Sequence, residues 1–272
     1  MEIKEIYLSK DVLDINADII GICNYKCPYC YFFKTYSRSN GVIWSKRQID
    51  TFADAVNCTP SNTTVSLLGG EPTLHPLLPY LCQRLERSTT VFSNISRVVK
   101  LPGDVTISAS WHATDLGMFK DNVLRYKDSN PIVVTIMASE YEFTMNAIEF
   151  CIKNDLHYDI GYIDECNVIV DQPVKNCFMT DKGTITPMQL YKHNLNHFKG
   201  WSCQQSYVLV TIHGDVYTSC LTDKKIFNVF NHPEKLASLK PFVITCDKDE
   251  CRNDCWIAQY KHAPDMLHSF EK

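Results

Sequence analysis

Long apolar runs are missing from this 272-residue chain. No stretch approaches the roughly 18 consecutive apolar residues that suggest a membrane span. The opening MEIKEIYLSKD is mixed in charge and lacks the apolar core of a secretory signal, so the chain is expected in the cytoplasm, without a membrane partner. A Lys/Arg run is missing too. With 27 basic residues against 31 acidic ones the formal net charge is -4, which argues against a strongly basic surface and gives no strong sign of nucleic-acid binding. What remains is an ordinary soluble composition, 45% hydrophobic and 21% charged. The length holds one large domain with an appendage, or two small domains.

Cysteine is not scarce: there are 13. In a secreted chain they would suggest disulfides, but without an export signal they point toward metal binding in a reducing compartment. They cluster at 23, 27, 30, 203, 220, 246, 251 and 255, with Cys58, Cys82, Cys151, Cys166 and Cys177 scattered between. Cys82 and Cys151 sit at apolar positions of helical patterns and read as small core residues. Cys166 and Cys177 read as packing, with substrate contact as the alternative.

Cys23, Cys27 and Cys30 form a C-x3-C-x2-C triplet in GICNYKCPYCYFF, directly after an apolar, strand-like stretch. Three thiolates on one tight loop suit a four-iron cluster and leave its fourth iron open to a ligand that is not protein. The alternative is a structural zinc site, since C-x2-C pairs also bind zinc. No partner pair or histidine follows at zinc-finger distance, however, and zinc leaves the second motif unexplained. That motif is Gly69, Gly70, Glu71 and Pro72 in SLLGGEPTLHP, where the glycines permit close backbone approach to a ligand.

From Ile15 to Ile160 short apolar runs alternate with helical ones, the pattern of parallel strands joined by crossover helices. Strands are predicted over Ile15–Ile22, Thr64–Leu68, Thr90–Ser93, Val105–Ala109, Ile132–Met137 and His157–Ile163. Helices are predicted over Lys46–Val56, Leu77–Arg87, Leu116–Tyr126 and Tyr141–Lys153, with a short helical turn near Ser96–Val99. Right-handed crossovers would curl six such units into an open sheet or incomplete barrel, an α/β fold whose reactive groups gather at the C-terminal strand ends. Both motifs sit at such ends. So do Ser93 and Asn94, Ser108 and Ser110 with Trp111 and His112 behind them, and Ser139 and Glu140. After Asp164 the alternation stops. Val168–Val174 reads as a further strand and Pro187–Phe198 as helix. Tyr207–Ile212 and Val216–Ser219 read as a β-hairpin turning at His213, Gly214 and Asp215.

The triplet resembles the signature of the radical S-adenosylmethionine (SAM) enzymes, which has an aromatic residue before the last cysteine, here Tyr29; Gly69–Pro72 match that family's GGEP element. The resemblance implies a six-unit partial TIM-like barrel over residues 1–165. It implies a 4Fe-4S cluster on Cys23, Cys27 and Cys30, with SAM chelating the open iron. SAM contacts are implied for Tyr29, Gly69, Gly70, Glu71, Pro72, Asn94, Ser108 and Ser110. Residues 166–272 resemble the twitch domain, the shortened relative of SPASM extensions: Cys203, Gly214 and Cys220 fit its opening pattern. That likeness implies an auxiliary 4Fe-4S cluster on Cys203, Cys220 and two of Cys246, Cys251 and Cys255, with zinc as the alternative. By the same resemblance, an electron donor such as flavodoxin or ferredoxin reduces the loop cluster. SAM is then cleaved to a 5'-deoxyadenosyl radical that takes hydrogen from substrate, giving oxidation or rearrangement, the work of an oxidoreductase or isomerase. No peptide-recognition module precedes the first strand, so the expected substrate is a small molecule, amino acid or nucleoside-like compound. Two other readings stay open: a maturase acting on a residue of a peptide or protein, and a non-catalytic metal-stabilised module. Tyr31, Phe32, Phe33 and Tyr36 are expected to shield the cluster rather than stack on substrate.

Overall fold

The computed structural model describes residues 3–6, 12–28, 30, 32, 41–112, 116–138, 141–162, 178–180, 183–185, 194, 197–218, 225–247, 249 and 258–260. Its frame is six strands in chain order: β2 (Asp14–Asp18), β3 (Thr64–Leu68), β4 (Ser88–Ser93), β5 (Thr106–Trp111), β6 (Ile132–Ala138) and β7 (His157–Tyr162). Each pairs in parallel with the next. Parallel neighbours need crossovers, and helices α1 (Lys46–Asn57), α2 (Leu78–Arg84), α3 (Leu116–Lys127) and α4 (Tyr141–Lys153) supply four of the five. Helix α1 starts at a full capping box: the Ser45 hydroxyl accepts from the Gln48 N–H while the Gln48 side chain accepts from the Ser45 N–H.

Strand alternation decides which face the helices cover. Ile15, Ala17, Val65, Leu67, Val91, Ile107, Ala109, Trp111, Val134 and Ile136 point to one side. There they form one continuous core with Phe52 and Val56 of α1, Leu81 of α2, Phe119 and Val123 of α3, and Ile148 of α4. Cys82 and Cys151 lie in this core, as expected of small apolar residues.

The hairpin of β11 (Tyr207–Val210) and β12 (Asp215–Thr218) forms where the sequence predicts it, turning through Gly214 at φ +79°. It joins the main sheet: β11 runs parallel to β2, and β13 (Phe227–Asn228) follows β12, so among the described residues the sheet has nine strands and stays open. Trp44 ties the hairpin down by donating its indole N–H to the Ile212 carbonyl, 2.9 Å away. Two three-stranded sheets complete the described strands. One joins β1 (Ile3–Ile6), β8 (Phe178–Thr180) and β9 (Gly183–Ile185); the other sets β10 (Ser202–Gln205) between β14 (Phe242–Thr245) and β15 (Ala258–Tyr260). A short helix α5 (Pro233–Ala237) precedes β14. No helix among the described residues is long and apolar enough to cross a membrane.

Two expectations need correction. The first strand stops at Asp18 instead of Ile22, because Ile20 leaves to bridge Ile43. The helical turn near Ser96–Val99 is absent: Ile95 turns at φ +45°, and the Ser93 and Asn94 side chains accept from the N–H groups of Ile95 and Ser96. Local side-chain acceptors there outcompete a helical turn. Ser139, Glu140, the strand predicted over 168–174 and most of the helix predicted over 187–198 lie outside the described residues. Of that helix, the described residues 194, 197 and 198 are turn or irregular.

Candidate active site

Beyond β2 the chain crosses the end of β3, and three backbone bonds hold it there: Ile19 N–H to Leu68 O (3.0 Å), Gly70 N–H to Ile20 O (2.7 Å) and Glu71 N–H to Ile22 O (2.8 Å). This pairing explains both glycines. Gly69 stands at φ +136°, and a Cβ there would lie 2.4 Å from Ile20 O. At Gly70 a Cβ would lie 2.2 Å from Ile22 O and 2.9 Å from Cys23 N. The sequence suggests glycines that admit a ligand; in the structure the close neighbour is the chain's own cysteine loop.

On that loop Cys23, Cys27 and Cys30 are half-buried and form no disulfide. Cys30 N–H donates to Cys27 O at 3.2 Å, tightening the second half. Cys23 Sγ receives the Tyr25 backbone N–H at 3.4 Å and Asn94 Nδ2 at 3.9 Å. Cys27 Sγ lies 3.8 Å from His112 Nδ1, and the Tyr25 ring meets the His112 ring edge-on at 6.1 Å. Burial, with smaller contributions from the charges of Glu71, Cys27 and Cys30, pushes the Cys23 thiol up to about 11 against the lowering effect of the Tyr25 N–H. The metal-free thiol is therefore protonated at neutral pH, and a metal binding there would have to displace that proton. Burial lowers His112 to about 4, leaving a neutral ring.

Among the described residues no three His, Cys, Asp or Glu side chains converge to hold a single metal ion. Zinc would draw its thiolates to one point, about 2.3 Å from each sulfur. A four-iron cluster takes each thiolate at a different iron, and three half-buried cysteines on one loop offer one thiolate to each of three irons.

Glu71 points inward. It is 1% exposed, and its carboxylate accepts four hydrogen bonds: Thr73 N–H (3.0 Å), Thr73 O–H (2.5 Å), Ser93 O–H (2.6 Å) and Asn94 N–H (2.7 Å). Burial still raises its carboxyl above the ordinary carboxylate range, against the pull of those four donors. Glu71 thus clips the end of β3 to the end of β4. Pro72 opens the buried one-turn 3-10 helix that follows. Asn94, fixed through its N–H, sends Nδ2 to Asn24 Oδ1 (3.1 Å) and toward Cys23.

Ser108 and Ser110 lie on the face of β5 opposite the helix-packed Ile107, Ala109 and Trp111. Ser108 Oγ shares a 2.8 Å hydrogen bond with Thr135 Oγ1. Register sets Ser110, Thr135 and Asp159 side by side, and Asn16, Ser66 and Thr90 in a row nearer the strand starts. The face away from the helices therefore carries these hydrogen-bonding groups alongside Phe92 and Val133, which share the row of Ser108. His75, by contrast, is a structural histidine: it is buried, with Nε2 3.1 Å from Trp44 O and Nδ1 accepting the Leu77 N–H.

Tyr29, Tyr31, Phe33 and Tyr36 lie outside the described residues, as do Cys166, Cys177, Cys220, Cys251 and Cys255. Phe32 is fully buried. The Cys203 backbone is part of β10, opposite Ile244 of β14, and buried Cys246 follows β14 by one residue. Sequence reasoning missed Asn24, Tyr25, Thr135 and Asp159. The last two follow from period-2 alternation once strand register is known, whereas nothing local in sequence marks the first two.

An open sheet of parallel strands, with a cysteine loop at the C-terminal end of its first crossover strand, defines an α/β domain of partial-barrel kind. Residues 18–146 match the family model of the Radical SAM superfamily. That span contains the three loop cysteines, Gly69–Pro72, Asn94, Ser108, Ser110 and His112. Among solved structures, SuiB from Streptococcus suis aligns with a TM-score of 0.55 at 13% identity, over 83% of this chain and 65% of SuiB. The chain thus spans less than two thirds of SuiB's length. The structure of anSMEcpe with bound AdoMet aligns with a TM-score of 0.56 at 13% identity, over 84% of this chain and 80% of that one. At such identity these likenesses establish the fold alone. No curated protein matches in sequence.

Proposed function

We propose that the protein is a radical SAM enzyme acting on a small polar molecule of amino-acid or nucleoside-like character. The observation that carries this reading is the packing of Gly70 against Ile22 and Cys23, which fixes a three-thiol loop at the C-terminal ends of β2 and β3. Cys23, Cys27 and Cys30 would hold a 4Fe-4S cluster there. AdoMet, the ligand in the anSMEcpe structure, would occupy the adjoining strand ends near Gly69–Pro72, Asn94, Ser108 and Ser110. Bound together, cluster and SAM supply a 5'-deoxyadenosyl radical able to take hydrogen from carbon. The chain's own part is to hold substrate within van der Waals contact of that radical and to keep water away. Ser110, Thr135 and Asp159 face the same side as Ser108 and offer the hydrogen bonds that would orient a polar substrate. Reduction is assigned to an external donor such as flavodoxin or ferredoxin, with oxidation or rearrangement as the outcome.

The reading extends to the tail. Strand β10, which carries Cys203, pairs with β14 on one side and β15 on the other; Cys246 follows β14 by one residue and Cys255 precedes β15 by three. This threading supports an auxiliary 4Fe-4S site on Cys203, Cys220 and two of Cys246, Cys251 and Cys255.

Anaerobic reconstitution tests the whole. Iron-replete wild-type protein with SAM and dithionite should release 5'-deoxyadenosine, and Cys27→Ala should release none while keeping its far-ultraviolet circular dichroism. Equal release from both proteins, or none from iron-replete wild type, rejects the reading. Deuterium transfer from labelled candidates into 5'-deoxyadenosine then selects the substrate, and transfer from a labelled peptide alone would favour a maturase.

A further inference from the structure

We infer that His112 is a positioning residue for the cluster proposed above: its Nδ1–H donates to the Cys27 thiolate and raises the cluster's reduction potential. The inference rests on the cluster reading but concerns a residue outside the cysteine motif, 85 positions from Cys27.

Three observations carry it. First, Nδ1 stands 3.8 Å from Cys27 Sγ, within range of a hydrogen bond to sulfur. Second, the ring is held in place. Trp111 immediately before it is fully buried against Phe119 and Phe150, with ring centroids 5.1 and 5.4 Å away, which anchors the end of β5. The Tyr25 ring then meets the imidazole at an interplanar angle of 80°. Third, the contact has a direction once iron is bound. A coordinated thiolate carries no proton and can only accept, so the nitrogen that faces it must carry the hydrogen. Cys23 is served in the same way by the Tyr25 N–H and by Asn94 Nδ2. Two of the three thiolates would thus receive N–H groups from outside their own positions.

The consequence is electrostatic. One-electron reduction adds negative charge that spreads onto the sulfurs, and an N–H aimed at a sulfur stabilises the more negative state. His112 therefore eases reduction by the external donor and leaves less driving force for the onward electron transfer to SAM.

The test is a redox titration of the reconstituted, SAM-free holoprotein, followed by electron paramagnetic resonance at the signal that Cys27→Ala lacks. His112→Phe keeps a ring for Tyr25 but removes the N–H; His112→Asn removes the ring and keeps an N–H near the position of Nδ1. At a potential where wild type is half reduced, the Phe variant should show about a tenfold lower ratio of reduced to oxidised cluster, equivalent to about 59 mV for one electron. The Asn variant should stay within about twofold of wild type, and iron per chain should be unchanged in both. Equal midpoints for wild type and the Phe variant, or an Asn variant displaced as far as Phe, overturn the inference. Loss of iron from the Phe variant, alone or with the Asn variant, shows that His112 holds the cluster rather than tuning its potential and overturns the inference. A wild-type protein with no signal dependent on Cys27 would instead reject the cluster reading itself.

Discussion

Replacing Glu71 by Ala should cost about 3 kcal/mol of stability, and the figure follows from four hydrogen bonds. Removing the carboxylate leaves the backbone N–H groups of Thr73 and Asn94 buried without their acceptor, at about 1–3 kcal/mol each. The hydroxyls of Thr73 and Ser93 can rotate to other acceptors, so they add little. Part of the loss is returned, because burial of this carboxyl is itself unfavourable, as its raised pKa shows. Urea unfolding of the reduced, metal-free protein should show a lower midpoint with an unchanged slope. A thermal melt should fall by about 6–12 °C, at about 2–4 °C per kcal/mol for a chain of this size. Glu71→Gln should cost less, since it gives up only one of the four donors. Its pH dependence also has a defined sign. A folded pKa raised above the unfolded one contributes stability that is fully present below the unfolded value, about 4.3, and is lost as pH rises through the folded value. The wild type should therefore lose ground to Glu71→Gln as pH climbs through that window. A cost below about 1 kcal/mol for Glu71→Ala, or a difference that grows in favour of wild type with pH, would refute the reasoning.

Gly70→Ala should lower loop-cluster iron by at least about half, because its Cβ would meet Ile22 O at 2.2 Å; full iron with weakened SAM binding would mean that the glycine serves the ligand instead. Cys203→Ala should reduce iron from about 8 to about 4 per chain, read by colorimetric iron assay, while SAM cleavage survives; no change in iron would remove Cys203 from any cluster. Trp44→Phe should cost about 1–2 kcal/mol by stranding the buried Ile212 carbonyl, measured by urea unfolding, and a neutral result would show that the hairpin is held by packing alone. In metal-free protein, Cys23 alkylation by iodoacetamide, followed by mass spectrometry, should keep accelerating up to about pH 11; a plateau by about pH 9, near the reference thiol value, would contradict the burial argument.

The six-strand frame was legible because each strand buries one face against helices, so apolar alternation marks it directly. Thr64–Leu68 and Tyr141–Lys153 fall where the pattern puts them. The pairing of β11 with β2 was not legible, since parallel neighbours far apart in sequence leave no local trace of each other. The missing turn after β4 escaped for the opposite reason: it depends on local competition, in which the Ser93 and Asn94 side chains take N–H groups at the start of the turn. At the site, residue types and spacing announced the thiols and glycines, but they could not announce direction. Glu71 belongs to a motif that suggests a ligand contact, yet its carboxylate is engaged in holding Thr73, Ser93 and Asn94. His112 stands in sequence only as a residue behind a strand end until β5 brings it beside Cys27.

These placements join stability to the chemistry of the loop. Glu71 fixes the Asn94 backbone, Asn94 reaches Asn24 and Cys23, and the Glu71 N–H itself is bonded to Ile22 on the approach to Cys23. A substitution at Glu71 therefore acts on Cys23 from two sides while leaving all three loop cysteines unchanged. As the proposed ligand Cys23 would give up a proton on binding metal, from a thiol that burial has already made reluctant, and loosening this support should expose Cys23 and lower its pKa toward the ordinary thiol range. Metal-free Glu71→Ala should accordingly alkylate faster than wild type at pH 8 yet retain less iron after reconstitution, because an exposed thiolate forms readily while the geometry for sharing a cluster is lost. If alkylation quickens while iron stays full, the clip between β3 and β4 serves stability alone.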